Sequence, residues 1–169
     1  RSNGGVYDMT LDGNNQATNV LESVNDVGSG ITVTRQDIER VLIKNSRIAV
    51  GGWVFVVWDT NEAFGLREVH INDVTVEGPS STSQDAFALA SVHTCFVNNM
   101  RLKDLNRTPN FFNFRRLFID GLTVDNVPNT GGLVIDDLSN GSFSYAHISN
   151  LFVNNDCENI VINNSDTEI

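Results

Sequence analysis

The sequence predicts an all-β chain wound as a parallel β-helix, with three short strands in each of about five to six coils. Three observations predict it. The 169 residues include 22 asparagines and 13 glycines, a short bend motif recurs six times, and apolar positions alternate with period two on both sides of each bend. Composition sets the frame. With 40% apolar residues spread over many short runs, the chain is not of the disordered class. No apolar stretch approaches the roughly 18 residues that cross a bilayer, so no membrane insertion is expected. The formal charge is −10, and all eleven basic residues lie at or before Arg116, an acid excess that argues against a nucleic-acid partner. Cys95 and Cys157 form neither a disulfide framework nor a zinc spacing, and no cofactor or metal site is expected.

The bend motif reads as two apolar residues two apart, one polar residue, then Asn, Asp or Gly, then apolar residues again. In order, the copies are 9–13, 41–48, 69–76, 95–102, 117–124 and 146–153. The residue two after the second apolar position is Gly13, Asn45, Asp73, Asn99, Gly121 and Asn150. All three residue types enter the left-handed region at low cost, so this column marks a sharp bend between two strands. Copies that start at 9, 41, 69, 95, 117 and 146 are too far apart for a hairpin array. A third strand fits each interval, at 30–33, 52–58, 86–90, 111–114, 133–135 and 160–162. In-register stacking would let equivalent Asn side chains hydrogen-bond in a ladder along the stack. Locally, Thr34-Arg35-Gln36-Asp37 has the form of a capping box and reads as a loop or one helical turn.

These six bend motifs, with the opening stretch Gly5-Val6-Tyr7-Asp8-Met9-Thr10-Leu11-Asp12-Gly13-Asn14, resemble the right-handed parallel β-helices of the pectate-lyase-like superfamily. That superfamily includes pectin-degrading enzymes and bacteriophage tailspikes. The resemblance covers nearly the whole chain and implies a single right-handed, single-stranded solenoid domain over 1–169. The fold hosts lyases, hydrolases, epimerases and inert shafts, so it does not by itself specify a reaction.

Alternation assigns Val41/Ile43, Val69/Ile71, Cys95/Val97, Leu117/Ile119 and Ala146/Ile148 to the interior, making Cys95 a small core residue. The outward column of the same strand is then Thr10, Leu42, His70, Phe96, Phe118 and His147, which is unusually apolar. In the third strand, either Phe111 or Val134 must also face outward. A contiguous apolar face of this kind suggests either cover by other subunits of a closed oligomer or a platform for sugar rings. Arg1 enters almost directly into the first coil and Ile169 follows the third strand of an incomplete one. Solenoids need polar caps, so the expectation is a fragment or segment of a longer β-helical chain.

Glycan chemistry needs carboxylates converging on one groove, about 5–5.5 Å apart for retention and 6.5–9.5 Å for inversion. The candidates are Asp59, Glu62 and Asp85, with Asp59 and Asp85 on adjacent coils separated by one strand spacing of about 4.8 Å. Asp136-Asp137 lies three spacings from Asp59. The carbohydrate-binding candidates are Trp58, Trp53 and His93. The resemblance implies, for its hydrolase branch, an Asn-Thr-Asp, an Asp pair one coil on, a Gly-His-Gly and an Arg-Ile-Lys. Ser83-Gln84-Asp85 matches the first only in part, Pro109-Asn110-Phe111-Phe112 stands where the Asp pair belongs, and neither His70 nor His93 lies between glycines. A lyase would need a base near Asp136-Asp137, and no Lys or Arg follows Arg116. The functional expectation is therefore a tailspike-like segment of a virion tail or other extracellular appendage, homotrimeric and recognising a cell-surface polysaccharide. The alternative is a free-standing glycoside hydrolase or polysaccharide lyase.

Overall fold

In a computed structural model, residues 2–14, 21–25, 33–44, 53–59, 67–78, 85–105, 109–127, 133–136, 145–154, 160–163 and 167–168 are described. They form twelve strands: β1 Ser2–Asp12, β2 Leu21–Asn25, β3 Val33–Lys44, β4 Trp53–Asp59, β5 Glu68–Asn72, β6 Thr75–Glu77, β7 Asp85–Lys103, β8 Asn110–Asp125, β9 Leu133–Asp136, β10 Tyr145–Asn154, β11 Ile160–Asn163 and β12 Thr167–Glu168. No helix occurs among them. Every strand pairing is parallel, and all belong to one sheet system. One column of paired residues runs Gly5, Asp37, His70, Phe96, Phe118, His147, so the chain returns repeatedly to the same place, each time one strand further along the stack. This is compatible with a parallel β-helix. We call each return a row, the first holding β1 and β2.

Three sets of strands stack along the rows. The first face carries 35–39, 68–72, 94–98, 116–120 and 145–149; the second carries 9–12, 41–44, 75–77, 100–103, 122–125 and 151–154. The third carries β2, β4, 85–90, 110–112, β9 and β11. The long strands β7 and β8 each turn two corners, and left-handed residues make those corners. Between the first and second faces stand Asp8, Arg40, Asp73, Asn99, Gly121 and Asn150, with φ from 50° to 78°. After the second face come Asp104 and Asn126, and between the third and first faces Ser91 and Asn113.

The first two bends thus fall five residues earlier than the motif suggests. Asp8 and Arg40 occupy the first corner, while Gly13 belongs to the second corner with Gly78 and Asp104, its amide donating to the Lys44 carbonyl at 2.9 Å. Asn45 lies outside the described residues. The motif misleads because in these two rows it is the strand after the first corner, Met9-Thr10-Leu11-Asp12-Gly13 and Val41-Leu42-Ile43-Lys44-Asn45, that carries the pattern which the strand before the corner carries in later rows. Arg40 also hides the corner, since a long L side chain at φ 53° is uncommon there. Its guanidinium grips Asp8 of the row before, Nη2 to Oδ2 at 2.9 Å, and reaches Glu39 at 3.0 Å. That grip holds the Asp8 carboxyl below its usual range.

Three further corrections follow from this register. Residues 34–37 are neither loop nor helical turn but part of β3, where Gln36 and Ile38 point inward and parallel partners on both sides override the capping pattern. The third-face strand paired with β4 in the first row is β2 at 21–25; of the expected 30–33, residues 30–32 lie outside the described residues and Val33 opens β3. Leu42 pairs with Thr10 and Thr75 on the second face, so these residues leave the outward column assigned to His70 and Phe96.

The interior is a stack of apolar columns. Gln36, Val69, Cys95, Leu117 and Ala146 form one, and Ile38, Ile71, Val97, Ile119 and Ile148 another. Apart from Gln36, all are buried apolar side chains. Burial pushes the Cys95 thiol pKa up, as expected for a core residue rather than a reactive one. Phe111 is wholly buried and Val134 half-buried, so Val134 is the outward member of that pair. Polar ladders run outside the core: Asn98 donates to Asn72 at 2.9 Å, Asn99 to Asp73 at 2.6 Å, Asn126 to Asp104 at 2.7 Å and Asn150 to Asp120 at 2.7 Å. Three of these four bonds run from Asn to Asp and one from Asn to Asn, so the ladders pair an amide donor mostly with a carboxylate acceptor.

Candidate functional site

The register distributes the expected site residues unevenly. Trp53 is paired with Asp85, whereas Trp58 is paired with Ala90. Asp59 lies at the far end of β4 from the Trp53–Asp85 pair, about 20 Å along the strand, so these backbones do not bring Asp59 and Asp85 to one place. Only the backbone of Trp53, Trp58, Asp59 and Asp85 is described, and Glu62 lies outside the described residues. Asp59 pairs with Asn25 and, one step past Trp58–Ala90, stands next to Ser91. It shares a column with residues that make a corner. Asp136 pairs with Phe112 and Asn163, and Asp137 lies outside the described residues.

That corner is where the structure gathers functional side chains. The chain turns at Ser91, places Val92 in the core, and then presents His93 and Thr94 outward. Thr94 pairs with Glu68 in the preceding row and Arg116 in the following one. One residue earlier, Arg67, His93 and Arg115 therefore succeed one another across three rows. His93 is half-buried with Nδ1 3.0 Å from Thr94 Oγ1. Its pKa is held below the ordinary 6.5 by burial first, then by the positive charges of Arg115, Arg67 and Arg116. Trp58 and Asp59 end their strand at the same corner. Sequence reasoning reached His93, Trp58 and Asp59 but missed the three arginines. A signal for two of them was present: Arg67, His93 and Arg115 each stand two residues before an inward residue of one column, Val69, Cys95 and Leu117.

Farther along the first face, His70, Phe96 and Phe118 form a stacked aromatic column. Centroids are 4.8 Å apart for His70–Phe96 and 5.1 Å for Phe96–Phe118, with Tyr145 tilted on Phe118 at 5.7 Å. The spacing is that of the rows. Because the rings cover one another's faces, the column turns edges outward and lacks the free ring faces that a sugar platform needs. His70 is also engaged by Glu68. A shallow groove of about 370 Å³ lies elsewhere, across the first corner, lined by residues including Asp8, Met9, Arg40, Leu42 and Asp73.

No protein-family pattern matches the chain, and no curated protein or solved structure is similar to it.

Proposed function

We propose that the chain is a right-handed parallel β-helix of the pectate-lyase-like type and works as a tailspike-like segment that binds a cell-surface polysaccharide. The observation that carries this reading is the parallel register itself, in which each row pairs with the next and left-handed Asn, Asp or Gly stands at most corners. A stack of this kind offers long flat faces, which suit an extended polymer better than a compact small molecule. At the corner where the β4 backbone ends, His93 and Thr94 face outward, and an imidazole beside a hydroxyl suits sugar hydroxyls. Assembly as a homotrimer on a virion tail or other extracellular appendage is part of the same proposal. Apolar exposure supports it, since Phe152 is 64% exposed on the second face and Val161 46% on the third.

Binding of the chain to a panel of neutral and acidic bacterial glycans, followed by calorimetry, tests the reading. At least one polysaccharide is expected to bind, and light scattering is expected to give three chains per particle. A chain that binds no glycan contradicts the functional part; a monomer contradicts the assembly. Depolymerisation is the second reading, resting on Asp59, next to Trp58 in the sequence, and on Glu62, which lies outside the described residues. It predicts new reducing ends or unsaturated ends from the bound glycan, and their loss in Asp59→Asn.

A further inference from the structure

Two departures from the inward pattern meet in the first two rows. Among the described residues, only Gln36 and Ser91 are buried polar side chains. Ser91 is satisfied, since its Oγ accepts from Asn113 Nδ2 at 2.9 Å. Gln36 is not: the residue is 8% exposed, and its Oε1 is shielded from solvent with no hydrogen-bond partner among the described residues. Its column continues as Val69, Cys95, Leu117 and Ala146, so an apolar side chain would suit the register equally well. Leaving a buried acceptor unmatched costs about 1–3 kcal/mol.

The residue paired with Gln36 in the first row is Gly4, the one member of the column without a side chain. Its backbone does not require glycine. The φ angle lies outside the left-handed region, and a Cβ there would meet nothing within 4 Å among the described residues. Beside Gln36 this leaves a space of about 140 Å³ walled by Val6, Leu21 and Ile38. Ile38 is sealed in the core and Val6 and Leu21 are half-buried, whereas Gly4 and Gly5 are exposed, so the space meets solvent across the two glycines. An unmatched acceptor and a missing side chain thus fall on the same cavity.

Size and chemistry together select the guest. An apolar cavity of about 150 Å³ takes a benzene-sized molecule. Water suits the space poorly, because it needs about two to four polar partners and the described side chains offer one unmatched acceptor. Apolar walls also disfavour a charged group. We infer that this space is a binding site for a small neutral molecule of about one ring carrying a single O–H or N–H donor. The ring lies against Val6, Leu21 and Ile38, and the donor bonds to Gln36 Oε1. The terminal torsion of a glutamine is broad, so the amide turns toward a guest entering over Gly4 at little cost. The site is inside the stack and does not depend on the polysaccharide reading.

Phenol and toluene are the probes, alike in size and different in the donor. Titration of the whole chain, followed by ligand-observed NMR and by melting temperature, is expected to show saturable binding of phenol and a melting temperature that rises with its concentration. Gly4→Val fills the space and is expected to abolish binding of both probes while melting no lower than the parent. Gly4→Ala intrudes less and is expected to weaken phenol about threefold, which keeps the site testable if Gly4→Val does not fold. Gln36→Leu keeps the apolar walls and removes the acceptor, so the affinity for phenol relative to toluene is expected to fall about tenfold. Absence of saturable phenol binding overturns the inference. Undiminished binding in both Gly4 variants overturns it too, because the phenol then sits elsewhere. An unchanged phenol-to-toluene ratio in Gln36→Leu likewise contradicts it, leaving Oε1 without a role.

Discussion

The middle rows and the first two rows obey the same register in different ways. From β5 to β8 the first corner is Asp73, Asn99, Gly121, the inward column is Val69, Cys95, Leu117, and Asn or Asp side chains link the rows. In the first two rows the corner is Asp8 and Arg40, the same inward column holds Gly4 and Gln36, and ion pairs replace amide ladders. Gln36 is buried, and its Oε1 has no hydrogen-bond partner among the described residues. A space of about 140 Å³ opens beside it, lined by Gly4, Val6, Leu21 and Ile38. Nothing within 4 Å would meet a side chain at Gly4. The middle is held by periodic chemistry, whereas the first rows keep the same path through individual pairs.

On that difference, truncating the core should hurt most in the middle. Leu117→Ala, at a wholly buried site, is expected to lose about 2–5 kcal/mol in urea unfolding, and half-buried Val6→Ala less than half as much. Similar losses at the two sites would erase the comparison. Next in size is the corner. Gly121 has φ 78° and a Cβ there would stand 3.3 Å from the Asn99 nitrogen, so Gly121→Val is expected to lose about 2 kcal/mol. At the equivalent position, Arg40→Gly relieves a strained backbone and removes an exposed ion pair, leaving stability within about 1 kcal/mol of the parent. A larger loss there would mean that the Asp8 pair does more than hold a corner.

The buried amide gives an effect of opposite sign. Gln36→Leu matches the apolar column below and removes an unsatisfied acceptor, so a gain of about 1 kcal/mol is expected in the same unfolding assay. A loss would reveal a partner for Oε1. The smallest effect is in pH. Because the folded-state pKa of His93 is depressed below 6.5, the unfolded chain binds a proton that the folded chain resists. Its contribution is constant above 6.5 and stability declines as pH falls from there toward the folded value. His93→Gln should flatten that part of the melting profile. The drop at lower pH should persist, because Asp8, paired with Arg40, and Asp120, bonded first by Asn150, both have depressed values and lose stabilisation as pH falls below 3.8.

Legibility in the sequence follows the same division. Where corner residues are Asn, Asp or Gly and inward positions are apolar, as in 69–76, 95–102 and 117–124, pattern alone locates the bend to the residue. It fails at Arg40 and Gln36, whose placement depends on Asp8 and Gly4 in the row before. A local motif cannot report such a partner. The site was legible in the same partial way. The sequence offers His93 as a carbohydrate-binding candidate, but the arginines around it come from neighbouring rows, and only the register of β5, β7 and β8 brings them together. The separation of Asp59 from Asp85 likewise depends on register, since both flank third-face strands in adjacent rows.

Register therefore underlies the corner and the proposed function alike. It is most directly tested by pulsed electron resonance between nitroxides at Glu39→Cys and Ser149→Cys, in a chain with Cys95→Ala and Cys157→Ser. These two positions share one column through Asn72, Asn98 and Asp120, four strand spacings apart. A single distance centred at about 20 Å is the predicted result. A distribution centred beyond about 30 Å would contradict the parallel stack, and with it everything built on that register.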